Sequence, residues 1–125
     1  MNTEQINKLS NRIIGCGIKI HKALGPGFVE KMYSKAFAYE LEKEKIKFTK
    51  EKSIKVKYEG ILLGEHRLDF LIEDEIILEL KAVYEINNFH IAQILSYLKA
   101  TDKKLGLILN FSRSKLEIKR TVNNL

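Results

Sequence analysis

Cysteine and histidine are scarce in this chain, which has one cysteine and three histidines among 125 residues. A single cysteine, Cys16, excludes an internal disulfide and any cysteine-rich zinc site. Histidines as widely separated as His21, His66 and His90 also argue against a structural zinc site. Long apolar runs are missing, and the polar start MNTEQINKLS has no signal-peptide core. These absences predict a cytoplasmic protein without a membrane span.

Internal repeats, low-complexity tracts and linker-like segments are absent as well. A chain of this length is large enough to bury a real core and too short for two ordinary domains. Hydrophobic residues make up 45% of the chain and charged residues 30%, which is typical of folded globular proteins. We therefore expect a single domain over residues 1–125.

Acidic residues are in short supply only in the first half of the chain. Residues 1–60 carry 13 Lys and Arg against 7 Asp and Glu, whereas residues 61–125 carry 9 of each. Seven lysines lie in the Lys43–Lys57 stretch. This stretch has two interpretations that stay open: a surface that attracts phosphate groups, or lysines that keep a helix end and an edge strand soluble.

Apolar periodicity predicts an α/β (α+β) fold with the element order ααβββαβ(β). Helical spacing covers residues 3–24, which end at Gly25-Pro26-Gly27, and residues 28–45. A wet-faced strand follows over 48–58, and another begins at Ile61.

A third helix is predicted from a cap at Asn87 or Asn88 to about Thr101. The apolar segment 104–111 after it is expected to be a strand parallel to the one that precedes the helix. The tail, 115–122, is either an edge strand or a ragged terminus.

The stretch Arg67–Lys81, RLDFLIEDEIILELK, combines charged residues with two apolar strands. A three-residue turn that pairs Ile72 with Ile76 places Asp69 across from Glu79 and Arg67 across from Lys81. Like charges at such positions repel, and a divalent cation such as Mg²⁺ or Mn²⁺ between them would make the contact favourable. The alternative is an ordinary amphipathic hairpin with solvated charges. The almost continuous apolar neighbours favour strands that are covered on both faces.

Other polar residues have two interpretations each. Glu30 in the first turn of the second helix suits the helix dipole, or it acts as a third acidic ligand or water-positioning group. His90, Gln93 and Tyr97 form one stripe of the third helix. That stripe faces solvent or flanks the same pocket as Lys81.

Six sequence blocks resemble one protein family. They are HKALGPG at residues 21–27 leading into Gly27-x-x-Glu30-x-x-Tyr33, Tyr58-Glu59-Gly60, Arg67-x-Asp69, Glu79-Leu80-Lys81-Ala82, His90-x-x-Gln93 with Ser96-Tyr97-Leu98, and GLILNF at 106–111. In this order the blocks resemble the GxxExxY proteins, a bacterial and archaeal family placed in the PD-(D/E)XK nuclease superfamily. The likeness covers nearly the whole chain.

This resemblance implies a restriction-endonuclease-like core, which is a mixed β-sheet flanked by helices. It implies that Asp69 and Glu79 bind Mg²⁺ with help from the Leu80 carbonyl, and that Lys81 orients or activates the attacking water. Glu30 matches an extra acidic residue beside the metal. Gln93 and Tyr97 match a helix motif that follows the catalytic lysine, and Arg67 contacts a phosphate or only buttresses the sheet. Leu68 stands where the superfamily's eponymous proline would be.

The functional hypothesis is therefore a Mg²⁺- or Mn²⁺-dependent nuclease that hydrolyses phosphodiester bonds of DNA, or of RNA. The alternative is a non-catalytic module that keeps the nuclease core and binds nucleic acid or a protein. No recognition helix rich in Arg or Asn is evident. A homodimer stays open, since enzymes that cut both strands often pair two sites by two-fold symmetry.

Overall fold

The computed structural model describes residues 1–125 as three helices and five strands. The elements are α1 (Thr3–Leu24), α2 (Glu30–Lys43), β1 (Phe48–Tyr58), β2 (Ile61–Ile72), β3 (Ile76–Lys81), α3 (Asn88–Thr101), β4 (Leu105–Asn110) and β5 (Glu117–Val122). This order confirms the predicted fold class, and the tail forms an edge strand. None of the helices has the length and hydropathy of a membrane span.

The five strands form one mixed sheet in the order β1-β2-β3-β4-β5. Only β3 and β4 are parallel, and the other neighbours are antiparallel. The parallel pair is connected through α3, as expected of a strand, helix and strand unit. Helices lie against both faces of the sheet, so its central strands are almost entirely buried.

Local signals in the sequence account for the helix ends. Asn2 caps α1 by accepting a hydrogen bond from the Gln5 amide, and Asn87 caps α3 in the same way through the His90 amide. Gly25 ends α1 with a positive φ of 68°, a conformation that glycine adopts without steric cost. The second helix is shorter than predicted because it begins at Glu30 and ends at Lys43.

Two hydrophobic clusters hold the sheet between the helices. The larger cluster joins α1 and α2 to one face, with Ile13, Phe37 and Phe70 among its fully buried members. The smaller cluster joins α3 to the other face and includes Leu68 and Ile94. Burial of large apolar side chains on both faces supplies the main driving force for this layered arrangement.

Strands β1 and β2 are irregular at the point where their buried side chains change from one face of the sheet to the other. Leu68 and Phe70 would share one face of a regular strand, yet they belong to opposite clusters. Between the pairs Lys50–Phe70 and Lys52–Leu68, Glu51 has a left-handed backbone with φ of 56°. Asp69 is the residue between Leu68 and Phe70, so it lies at the point where the side chains of β2 change from one face of the sheet to the other.

This irregularity corrects the predicted position of Arg67. The turn and the Ile72–Ile76 pair are as expected, but the ladder between β2 and β3 ends at Phe70 and Leu78. Arg67 is exposed and pairs with Ser53 of β1, so it does not lie across from Lys81. Strand β2 is covered on both faces only from Leu68 onward, because its first half extends beyond β3 with β1.

Two glycines of α1 provide a test of this packing. A Cβ atom at Gly17 would lie 2.8 Å from Leu109 Cδ1 and 3.1 Å from Leu116 Cδ2, whereas one at Gly15 would meet nothing within 4 Å. We expect Gly17→Val to lower the free energy of unfolding by roughly 1–3 kcal/mol through overpacking. The control Gly15→Val should leave stability unchanged or slightly raised, as measured by urea denaturation. Equal effects of both substitutions would contradict the close packing at Gly17.

Candidate active site

Asp69 is joined to Glu79 and Leu80 by two hydrogen bonds that replace the regular ladder between β2 and β3. The Asp69 amide donates to Glu79 Oε2 at 2.8 Å, and the Leu80 amide donates to Asp69 Oδ2 at 2.8 Å. Each carboxylate is therefore fixed by the backbone of the opposite strand. The expected meeting of the two carboxylates occurs, although side chains rather than paired backbones bring it about.

Burial raises the pKa of both carboxyls. Glu79 is only 6% exposed, and burial, then the charge of Asp69, raise the pKa of Glu79 from 4.5 to about 8. Burial also raises the pKa of Asp69, against the opposing effects of the Leu80 hydrogen bond and Lys81. Negative charge at this site is thus poorly compensated by the protein itself.

Glu30 approaches the pair from the first turn of α2. Partial desolvation at the cleft and the nearby Asp69 carboxylate raise the pKa of Glu30, and Lys81 opposes this effect. Gly27 has a positive φ of 113° in the loop before the helix. The Tyr33 hydroxyl donates to the Gly25 carbonyl at 2.6 Å and accepts from the Phe28 amide at 3.2 Å. Gly27 and Tyr33 thereby hold the loop that brings Glu30 to the site.

Lys81 ends β3 two residues after Glu79 and is half-buried. Its positive charge lowers the pKa of Glu30, Asp69 and Glu79 alike, so all three carboxyls lie within its electrostatic reach. Lys81 forms no ion pair with any of them. Its ammonium group is therefore available to another partner.

The helix residues predicted to bind substrate lie beside the carboxylates. Tyr97 is 7% exposed, and burial, then the charges of Glu79 and Asp69, raise the pKa of its phenol. Gln93 is half-buried one turn earlier on α3. The stripe therefore does not simply face solvent. Arg67 differs from the other predicted site residues. It is exposed and pairs with Ser53 of β1, so it does not lie opposite Lys81 as predicted.

Two clefts open on either side of the carboxylates. The polar cleft, on the α2 side, has a volume of about 560 Å³ and is lined by Glu30, Lys31, Ser34, Lys50, Glu51 and Asp69. The apolar groove, on the α3 side, has a volume of about 360 Å³ and is lined by Val56, His66, Phe89, Ala92, Gln93, Ser96, Tyr97 and Ala100. Lys50 belongs to the basic Lys43–Lys57 stretch, so one lysine of that stretch reaches the polar cleft.

Sequence reasoning missed the residue that supports the end of β3. Asn110 is fully buried beside Lys81 in the sheet register. Its amide accepts from the Val83 amide at 3.0 Å, and donates to the Val83 carbonyl at 2.8 Å and to Glu117 at 3.0 Å. A polar residue in the apolar strand LGLILN was the available signal, because a buried amide is costly unless it is hydrogen-bonded.

Comparison with known families agrees with this geometry. Residues 7–121 match the family model described as the PD-(D/E)XK nuclease superfamily. The chain belongs to this superfamily. The sequence blocks that resembled it all lie within the matched residues. No curated protein matches the chain.

The fold of this chain also resembles that of a solved structure. The crystal structure of a protein named SSO0001 matches with a TM-score of 0.59 and 15% sequence identity. The match covers 76% of this chain and 50% of the other. At this level of identity the likeness concerns the fold alone, and the chain spans about half the length of that protein.

A divalent ion, which nucleases of this superfamily typically use, fits the donor set. No three acidic, histidine or cysteine side chains converge closely enough to enclose a metal. However, Mg²⁺ is usually held by one or two carboxylates together with water and substrate phosphate. Asp69 and Glu79 each keep one oxygen that accepts no hydrogen bond from the protein. The raised pKa values of this pair further indicate charge that a cation would compensate.

The raised pKa of Glu79 predicts that stability falls as the pH rises. Between pH 4.5 and about 8 the folded chain keeps a proton on Glu79 that the unfolded chain has lost, so ionisation costs folding energy across this window. Without divalent ions, Glu79→Gln should stabilise the protein by roughly 1–3 kcal/mol at about pH 8.5 and by little at about pH 5. Urea denaturation at the two pH values measures the difference. The exposed Glu42→Gln is the control. An effect of Glu79→Gln on stability that does not depend on pH would refute the raised pKa of Glu79.

Asn110→Ala tests the support of β3. The substitution leaves the Val83 amide and carbonyl without their side-chain partner, and removes a donor to Glu117. We expect the free energy of unfolding to fall by about 2–4 kcal/mol, because buried polar groups lose their hydrogen bonds. The exposed Asn11→Ala on α1 should leave stability unchanged or slightly raised in the same thermal denaturation. A loss below about 0.5 kcal/mol would show that the network does not hold the strand end.

Proposed function

We propose that this protein is a Mg²⁺- or Mn²⁺-dependent nuclease that hydrolyses phosphodiester bonds of DNA, with RNA as the alternative substrate. The observation that carries the proposal is the pair of hydrogen bonds by which Glu79 accepts from the Asp69 amide and Asp69 accepts from the Leu80 amide. It holds two poorly compensated carboxylates between Lys81 and a cleft containing two lysines, Lys31 and Lys50. Cations on both sides of an acidic pair suit a phosphate that arrives with its metal ion.

Asp69 and Glu79 are the proposed metal ligands, and the Leu80 carbonyl is a third. In a β-strand the N–H and C=O of one residue point to the same side, and the Leu80 N–H points to Asp69. Its carbonyl is therefore directed to the same region. When bound, the divalent ion would neutralise the negative charge that builds on the phosphate during hydrolysis.

Lys81 is proposed to orient the attacking water or to take part in its deprotonation. Its half-buried position beside the carboxylates and its lack of an ion pair leave the amine free for this role. Glu30 reaches the same site from α2, where a carboxylate with a raised pKa can position water. Catalysis thus uses two strands and one helix.

The remaining residues are proposed to bind the substrate. Lys31 and Lys50 in the polar cleft attract the phosphate backbone. Gln93 and Tyr97 flank the carboxylates from α3. Arg67, further out on β2, is proposed to contact the nucleic-acid strand. Arg67 is exposed and therefore free to meet a phosphate.

Within the superfamily we assign the chain to the GxxExxY proteins. Each named residue of the motif has its own physical role, which supports this finer assignment. Gly27 adopts a positive φ, Glu30 points its charge at the site, and Tyr33 anchors the loop and stacks on Phe111 with ring centroids 4.4 Å apart. The three residues of the motif thus act together to position Glu30.

Loss of cleavage in Asp69→Asn and Lys81→Ala tests the proposal. Each change keeps the fold but removes a metal ligand or the amine, so we expect the rate of Mg²⁺-dependent cleavage to fall by about 100-fold or more. The assay uses end-labelled single-stranded, nicked, branched and duplex DNA and RNA with Mg²⁺, Mn²⁺ or EDTA. The matched controls are the exposed Asp74→Asn and Lys8→Ala, which should cleave like the unmodified protein.

Activity that survives both substitutions in clean preparations would refute the proposal. Calorimetry with Mg²⁺ and a short duplex separates the alternative of a non-catalytic module. Binding without cleavage over a long incubation would support that alternative, and no binding would point to a protein partner.

A further inference from the structure

The apolar groove between α3 and the outer parts of β1 and β2 is not required by the catalytic roles proposed above. Its walls combine an apolar lining with the polar ends of His66, Gln93 and Ser96. It opens because β1 and β2 extend as a two-stranded arm past the end of the ladder with β3. The groove therefore follows from the arrangement of the strands in this fold.

Tyr97 lines this groove and is the residue by which the groove neighbours the candidate active site. The Tyr97 hydroxyl lies 3.0 Å from His66 Nδ1, and the two rings meet edge to face with centroids 5.5 Å apart. The same phenol is within electrostatic reach of Glu79 and Asp69. A group attached to a phosphate at the carboxylates would thus enter the groove at Tyr97.

The groove offers flat surfaces at one end and hydrogen-bonding groups along its side. Phe89 leaves 70% of its surface exposed although it begins α3 at the rim of the groove. An aromatic ring held in this way is a stacking platform for a base, because every base has a π-face. The Gln93 amide can both donate and accept hydrogen bonds, which suits the polar edge of a base.

We infer that this groove holds one unpaired nucleobase of the substrate strand, next to the phosphate bound at Asp69 and Glu79. The inference rests on the proposed nuclease function and narrows its substrate to nucleic acid that is single-stranded at that nucleotide. A base within a duplex is stacked on both faces and paired along its edge, so it cannot enter a walled groove.

The size of the groove favours a base over a protein segment. Its volume of about 360 Å³ is at the lower end of small-ligand sites. An amphipathic helix needs a longer groove with several anchor positions. The lysines of the polar cleft also favour an occupant that carries phosphate.

Binding of strands with and without bases tests the inference. The probes are a fluorescein-labelled thymidine strand of about eight nucleotides, a strand of equal length that lacks all bases, and a blunt duplex. Binding is measured by fluorescence anisotropy with Mg²⁺ in the Lys81→Ala background, and the strands are checked for integrity. Phe89→Ala is the test variant. Tyr39→Ala, which removes an aromatic ring 64% exposed on α2, is the matched control.

We expect the base-bearing strand to bind about tenfold more tightly than the abasic strand or the duplex. Phe89→Ala should remove this preference by weakening only the base-bearing strand, and Tyr39→Ala should change nothing. Equal affinity for strands with and without bases would overturn the inference. So would a Phe89→Ala effect of equal size on both strands, or a duplex bound as tightly as the single strand.

Cleavage of the same strands by the unmodified protein separates this inference from the proposed function. Cleavage without any preference for bases would keep the nuclease function and reject the groove as a base site. Base-dependent binding without cleavage would keep the groove and reject the nuclease. Absence of binding to every probe would overturn the inference.

Discussion

The reciprocal contact between Asp69 and β3 is the interaction on which the candidate site depends. Ordinary sheet bonding stops at Phe70 and Leu78, and beyond that point carboxylate side chains accept the backbone N–H groups. Two acidic groups are thereby fixed close together; burial raises the pKa of both, and the charge of Asp69 adds to the rise at Glu79. A structure that holds like charges in this way is stabilised by whatever cation binds there.

Rigid supports surround this contact on every side. Tyr33 and Gly27 hold the loop before α2, so that Glu30 reaches the site from one face of the sheet. Asn110 fastens the chain just beyond Lys81 by bonding both the amide and the carbonyl of Val83. These supports are buried or backbone-bonded, which is the arrangement that positions reacting groups accurately.

The left-handed residue Glu51 shapes the surroundings of the carboxylates. Beside Glu51 the buried side chains of β1 and β2 change from one face of the sheet to the other. The outer part of these strands therefore packs against α3 and the inner part against α2. Asp69 lines the polar cleft with its lysines, and Tyr97, within electrostatic reach of Asp69, lines the apolar groove with its aromatic rings. In the proposed function the cleft takes a phosphate, and in the further inference the groove takes a base.

The sequence by itself determined the elements and their order, since helix periodicity, asparagine caps and the short Glu73-Asp74-Glu75 turn are local signals. It also predicted that Asp69 and Glu79 come together, because the register of a hairpin follows from its turn, although the ladder ends one pair before them. Only the tertiary structure decided where Arg67 lies, that Asn110 supports β3 and that His66 meets Tyr97. Those outcomes depend on the irregularity at Glu51 and on contacts between residues distant in sequence, which no local pattern encodes.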